Sequence, residues 1–516
     1  MTTELSQPAS LGLSSTKQVW STPELVGIIC ANVDQPSLGR LGRVNKAISD
    51  VSLAILYHTV STNFYDLIKI LSPTEVTENR GLIFTKPIEE TDWARFLRYT
   101  KFVRSLTLAN VDSAAEIFCV MDATRPPEPI FPSLQSFSCD DIGTTNYLTN
   151  LTLHNRLSQL AIKGWKPPVR LLQNIRSLAS SLQSLMLTDT SMRLDLSTHA
   201  ELIQLLPAFS SLIHIELPPT FMTAKVFDLL AGKQHLETIR MSKLERWEVG
   251  PKQRYFPDFV YGFRFPEGSF PALKILSIRD PSSHPQRRIS IRSGFKSLQT
   301  LYLNLSGEPS YSNVQTYFQA LTHGFTALTQ LVIDASAKHD TYDSEATFSM
   351  LAPLLCLSQL NTFSFANSSP VSLADRHIDQ ITRAWPLLTY FAFDLRLFKE
   401  SGHTELTLSS LIPFMQNCKF LRVLRIRLDT SIKPPLELTD ELVFPKDFEL
   451  LDLLNSTPGE VNDVAGYIAD SLSDKANFCC GGDEKEIGRD RMDKWRAISD
   501  LVDIIRKAKG RALRRA

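Results

Sequence analysis

Apolar residues recur along this chain as a short triplet, Leu-x-x-Leu-x-Leu with conservative replacements, about thirteen times at a mean step of about 29 residues. The copies are Val103/Leu106/Leu108, Leu134/Phe137/Cys139, Leu157/Leu160/Ile162, Leu182/Leu185/Leu187, Leu212/Ile215/Leu217 and Leu236/Ile239/Met241. They continue at Leu273/Leu276/Ile278, Leu298/Leu301/Leu303, Leu328/Leu331/Ile333, Leu360/Phe363/Phe365, Leu388/Phe391/Phe393, Leu421/Leu424/Ile426 and Phe448/Leu451/Leu453. The alternation at the end of each copy predicts a short strand. Between copies the period changes to that of a helix, at 199–209, 223–230, 313–321, 344–355, 373–385 and 408–415. One strand and one helix cannot bury their own apolar faces, so the units must stack. The expectation is a curved α/β solenoid over residues 101–455, with a parallel sheet inside and helices outside. The spacing lapses between Met241 and Leu276, where 247–270 reads as an insertion loop packed by Trp247, Tyr255, Phe256, Phe259 and Phe265.

If the repeated apolar positions face the core, the residues alternating with them line the open face of the sheet. That row is Thr107, Ser138, Ala161, Met186, Glu216, Arg240, Ser277, Tyr302, Val332, Ser364, Ala392, Arg425 and Asp452. Its mixed character suits a protein partner better than a nucleic-acid backbone, which needs a continuous basic stripe. Arg and Tyr dominate interface hot spots, which makes Arg240, Arg279, Tyr302, Arg425 and Arg427 the candidate target-binding residues.

The chain opens differently. Residues 1–18 read as a disordered tail, 19–65 as a small helical module, and 66–100 as a linker or N-terminal cap. Thr22 can cap a helix that has Pro23 at its first position and Glu24 at the positive end of its dipole. Leu25, Ile28 and Ile29 share a face of that helix. Asp34-Gln35-Pro36-Ser37 starts a second helix with the stripe Leu38, Leu41, Val44 and Ile48, and Val51, Leu53, Ile55 and Leu56 form a third apolar segment. So small a unit should bury part of its surface on a neighbour or a partner.

The order Pro23-Glu24-Leu25, Ile28-Ile29, Leu38/Leu41, Val44-Asn45-Lys46-Ala47-Ile48 and Leu56-Tyr57 resembles the F-box. The common form of that module has a Pro-Glu-Leu opening, an Ile-Phe pair, a Leu-x-x-Leu stripe, a Val-Cys-Lys-x-Trp signature and a closing Leu-Trp. The departures are Ser21 or Thr22 for the leading Leu, Asn45 for the Cys and Ile48 for the Trp. With the repeats that follow, the chain is similar to the F-box/leucine-rich-repeat proteins, in the style of the large families of mushroom-forming fungi. The resemblance implies that Pro23, Leu25, Ile28, Ile29, Leu38, Leu41, Val44, Ile48 and Leu56 form or support a surface that docks on a Skp-family adaptor, and through it on a cullin. The repeats would hold a target protein for ubiquitination, with no cofactor and no bond made by the chain itself. The alternative is a leucine-rich scaffold that joins no ligase, its N-terminal helices acting only as a cap.

Composition sets the outer bounds. The 516 residues are 43% apolar and carry 55 basic and 55 acidic side chains, so no net charge steers the chain to DNA or acidic lipid. No apolar run reaches membrane-spanning length, the first residues lack the marks of a signal peptide, and 7 cysteines without framework spacing suit a reducing compartment, cytoplasmic or nuclear. Phosphate loops, nucleophile elbows and zinc-helix motifs are absent from the sequence. Cys479-Cys480 lacks zinc spacing and reads as part of a polar loop over 477–491. Residues 456–516 form a C-terminal helical cap with a basic tail, whose cations complement the end of the last helix.

Overall fold

The computed structural model describes residues 19–20, 22–61, 64–78, 81–109, 114–140, 150–163, 169–188, 196–242, 268–281, 295–306, 311–335, 346–367, 371–395, 404–433, 442–473, 475–480 and 488–513. The tail 1–18, the insertion aromatics Trp247 to Phe265 and the last basic residues, Arg514 and Arg515, lie outside the described residues. The chain divides into two compact units, Met1–Phe221 with Ser242–Arg254 and Met222–Met241 with Tyr255–Ala516.

The first unit opens with α1 (Pro23–Ala31), α2 (Gln35–Leu41) and α3 (Lys46–Leu56). Pro23 stands in the first turn of α1, where its missing N–H costs nothing, and Thr22 is the N-cap. The second helix is shorter than the stripe Leu38–Ile48 predicts. It stops at Leu41 with Gly42 as its C-cap, and Asn45 then starts a new helix by accepting the Ile48 N–H on its side-chain oxygen at 2.9 Å. Four apolar residues at helical spacing therefore span two helices and a turn, because a cap outweighs continued periodicity. Val26, Cys30, Leu38 and Ile48 form a core of their own, with Trp20, Val33, Leu41, Val51, Ile55 and Leu56 packed around it.

Beyond this module come β1 (Thr59–Val60), α4 (Phe64–Leu71), the antiparallel hairpin β2 (Thr74–Val76) and β3 (Leu82–Phe84), and α5 (Glu90–Thr100). The repeats follow as β4 (Ser105–Leu108), α6 (Ala115–Thr124), β5 (Ser136–Asp140), β6 (Gln159–Lys163), α7 (Val169–Arg176), β7 (Ser184–Thr188), α8 (Leu196–Leu205) and β8 (His214–Leu217). From β1 and β4 to β8 these strands form one parallel ladder.

The second unit has the same build. It runs α9 (Ala224–Ala231), β9 (Thr238–Met241), β10 (Ile275–Pro281), β11 (Thr300–Ser306), α10 (Tyr311–Gly324), β12 (Gln330–Ala335), β13 (Ala346–Thr347) and α11 (Phe348–Leu351). Then come β14 (Thr362–Asn367), β15 (Val371–Ser372), α12 (Asp375–Ala384), β16 (Tyr390–Leu395), α13 (Leu411–Asn417), β17 (Val423–Ile426), β18 (Leu450–Asp452), α14 (Val461–Ser471), β19 (Asn477–Cys479) and α15 (Arg489–Leu513). Its main ladder is parallel throughout, with β13 and β15 as a separate parallel pair. At each step the residue before a strand, or at the last step the first residue of β19, donates its N–H to the carbonyl of its counterpart one repeat back. The series runs Lys274 to Glu237, Gln299 to Lys274, Thr329 to Gln299, Asn361 to Thr329, Thr389 to Asn361, Arg422 to Thr389, Glu449 to Arg422 and Asn477 to Glu449, all at 2.7 to 2.9 Å. These are leucine-rich repeats stacked as strand and helix layers.

Every copy of the sequence triplet runs into one of these strands, and its apolar positions are buried except Met241, which is half-buried. Phe side chains at equivalent positions stack from repeat to repeat, Phe270 on Phe295 at 5.4 Å and Phe365 on Phe393 at 5.5 Å. Each buried ring contributes about 1.5–3 kcal/mol, so the stack supplies cohesion that no single repeat has. The expected loop over 477–491 is corrected at both ends. Residues Asn477–Cys479 add a parallel strand beside β18, and α15 begins at Arg489. With a single large apolar residue, Phe478, that strand lacks the triplet, and the backbone groups of β18 recruit it.

Candidate functional site

In the helical module, the residues singled out by sequence divide into two groups. Leu38 and Ile48 are 4% and 3% exposed and belong to the module core, while Ile29, Leu41 and Leu56 are half-buried around it. Pro23, Leu25, Ile28 and Val44 face solvent, with Leu25 at 42% and Ile28 at 62%. The division follows from α1 itself: Val26 and Cys30, four apart, point inward, and Leu25 and Ile28, three apart, share a different face. Asn45 and Ile48, two departures from the common F-box form, have structural employment here, as a helix cap and as a core residue.

Where the module meets the first repeat, a cleft of about 770 Å³ opens, lined by Leu56, His58, Lys101, Phe102 and Arg104 among others. The His58 carbonyl accepts the N–H groups of Arg104 and Ser105 at 3.0 and 2.9 Å, and Tyr57 meets Tyr99 edge-on at 5.4 Å. The alternating triplet carries no signal for this seam.

On the open face of the first unit's sheet, Thr107, Ser138, Ala161, Met186 and Glu216 stand opposite one another in register, all half-buried. In the second unit the row runs through Ser277, Tyr302, Val332, Ser364, Ala392, Arg425 and Asp452, and Cys479 extends it. The row is therefore one residue per strand, as its spacing predicts. Arg240 is exposed on β9, and Tyr302 is 37% exposed. The side chain of Arg279 lies outside the described residues.

Two members of the expected surface are not on it. Ala392 is 4% exposed. Its neighbour in register, Arg425, donates to Asp452 at 2.9 Å. Arg427, expected as an exposed hot spot, is only 8% exposed. It lies past the end of β17, where Asp429 bridges to Thr457 and the first turn of α15 supplies Arg491 as a neighbour.

The cysteines at the end of the second sheet are poor nucleophiles. Burial, then the charges of Cys479 and Asp452, push the Cys480 thiol up to about 12, and burial and Asp452 raise that of Cys479. Among the described residues no group of three or more His, Cys, Asp or Glu is placed to hold a metal ion, and no helix is long and apolar enough to cross a membrane.

No protein-family model and no curated protein matches the chain. Three solved structures with similar folds are a TLR13–ssRNA13 complex, a Leptospira interrogans LRR protein and the Rad7–Elc1 complex of yeast. The first is 14% identical with a TM-score of 0.33; the match covers 74% of this chain, which spans only 55% of that one. The second is 10% identical at a TM-score of 0.30, covering 75% of this chain and 80% of the other. The third is 14% identical at 0.29, covering 94% and 100%.

Proposed function

We propose that this chain is the substrate-recognition subunit of a Skp–cullin–F-box type ubiquitin ligase, docking through α1 to α3 and holding a target protein on its repeats. One observation carries the reading. The module fills its own core with Val26, Cys30, Leu38 and Ile48 and still presents Leu25 and Ile28 to solvent. A helix serving only as an end cap would turn those side chains onto the first repeat, since exposing them forfeits about 1.5–3 kcal/mol each. An exposed apolar pair on a self-contained module is what an adaptor needs.

In this role the chain makes no bond. Holding the target beside a ubiquitin-conjugating enzyme raises its effective concentration, and the repeats contribute position alone. A cytoplasmic or nuclear location belongs to the same reading. The scaffold alternative draws on Asn45 and Ile48: both are employed inside the module, so the signature positions are not free to contact a partner.

The test is capture of the full chain by the Skp adaptor of its own host, comparing wild type with Ile28→Asp. A stable wild-type complex that the substitution abolishes, with the circular dichroism spectrum unchanged, supports the ligase reading. Absence of wild-type binding at micromolar concentrations leaves the scaffold.

A further inference from the structure

The second unit holds two guanidinium groups whose charges have no acidic partner among the described residues. Arg427, just past β17, is 8% exposed, and its Nε has no hydrogen-bond partner. Burial depresses its pKa, and the charged neighbour acting on it is a second cation, Arg491. Arg491 sits in the first turn of α15 and is held there by donating from Nη2 to Thr457 Oγ1 at 3.2 Å. Its own Nε is also buried without a partner. The nearby acids in the fold are otherwise engaged or face water. Asp452 accepts from Arg425 and from the Leu454 N–H at 3.0 Å, Asp429 accepts from the N–H and hydroxyl of Ser431, and Asp490 is exposed.

An arginine cannot shed its proton to escape such a position, and an unpaired buried charge is among the costliest features a fold can carry. Arg491, half-buried nearby, adds repulsion to the desolvation of Arg427. An oxyanion beside them offsets both costs, because each guanidinium carries further N–H donors and the N-terminal end of α15 adds a favourable dipole. A carboxylate is satisfied by one guanidinium fork. A phosphate monoester brings about two negative charges and three terminal oxygens, enough for both.

We propose that Arg427 and Arg491 form a binding site for a phosphate monoester group, carried either by a phosphorylated side chain of a bound protein or by a small soluble phosphate compound. The site is independent of the ligase reading, and its test uses this chain alone. Thermal unfolding of the full chain is followed against inorganic phosphate, with sodium chloride at matched ionic strength as the control. The expected result is a saturable rise in melting temperature specific to phosphate, with the apparent affinity falling about tenfold or more in Arg427→Gln and in Arg491→Gln. Arg491→Gln guards against a folding failure at the more deeply buried Arg427. A wild-type response equal to that with chloride overturns the proposal, as does a full phosphate response in Arg491→Gln. Fluorescence polarisation with a phosphoserine peptide pool and its unphosphorylated counterpart then separates the sources. Phosphate-dependent peptide binding that inorganic phosphate displaces points to a bound protein, and a phosphate response with no peptide preference points to a small compound.

Discussion

Arg425 donates its Nε to the carboxylate of Asp452 at 2.9 Å, and the parallel register of β17 and β18 sets these two residues directly opposite. The pair ties together adjacent repeats on the open face of the second unit. Both side chains belong to the row that the alternating triplet predicts, so an interaction between residues of separate repeats follows from a local pattern repeated in step.

A double-mutant cycle of Arg425→Ala and Asp452→Asn should give a modest coupling. Arg425 is 44% exposed and Asp452 14%, so solvent screens much of the attraction, and about 0.5 kcal/mol is expected. Thermal unfolding of the four proteins measures it.

Asn45 predicts a stability effect confined to the first unit. Its side chain satisfies the Ile48 N–H at the start of α3, and Asn45→Ala should cost about 1 kcal/mol. Asn45→Cys, which restores the residue common in the F-box signature, should cost a similar amount, because a thiol is a weak acceptor. Hydrogen exchange of the α3 amides would show the loss as faster exchange there, with β4 to β8 unchanged.

The pH dependence has a determined sign. Burial pushes the imidazoles of His154 and His199 below their ordinary 6.5; at His154 a hydrogen bond with the Phe131 backbone partly offsets this, and Arg156 adds to it. The folded chain therefore binds fewer protons at these sites than the unfolded chain. The stability they confer is complete above 6.5 and is lost as pH falls from there through the lower folded-state values. Melting temperature should drop between pH 7.5 and pH 5, and His199→Gln should flatten part of that drop.

The strand positions and their mutual register were legible because side-chain alternation is a property of the backbone, and a triplet repeated in one phase aligns its neighbours without long-range information. The triplet placed Ser277 beside Tyr302 and Ala392 beside Arg425 before any contact was visible. The same reasoning failed at the stripe Leu38 to Ile48, where one capping asparagine outweighed four apolar residues in phase.

From its own order of residues the chain determined a strand-and-helix repeat, an open-face row of one residue per strand, and a small helical module ahead of them. Tertiary structure alone decided how each of those residues is used. Leu25 and Val26 are chain neighbours of similar character, yet one faces water and the other fills a core, because α3 packs against a single face of α1. Arg425 and Arg427 share a face by alternation, yet one is half-exposed in an ion pair and the other is buried beside Arg491. Alternation is set by covalent geometry within a few residues. Burial and charge pairing depend on what distant segments bring to the same place, and for Arg427 that segment is the start of the last helix.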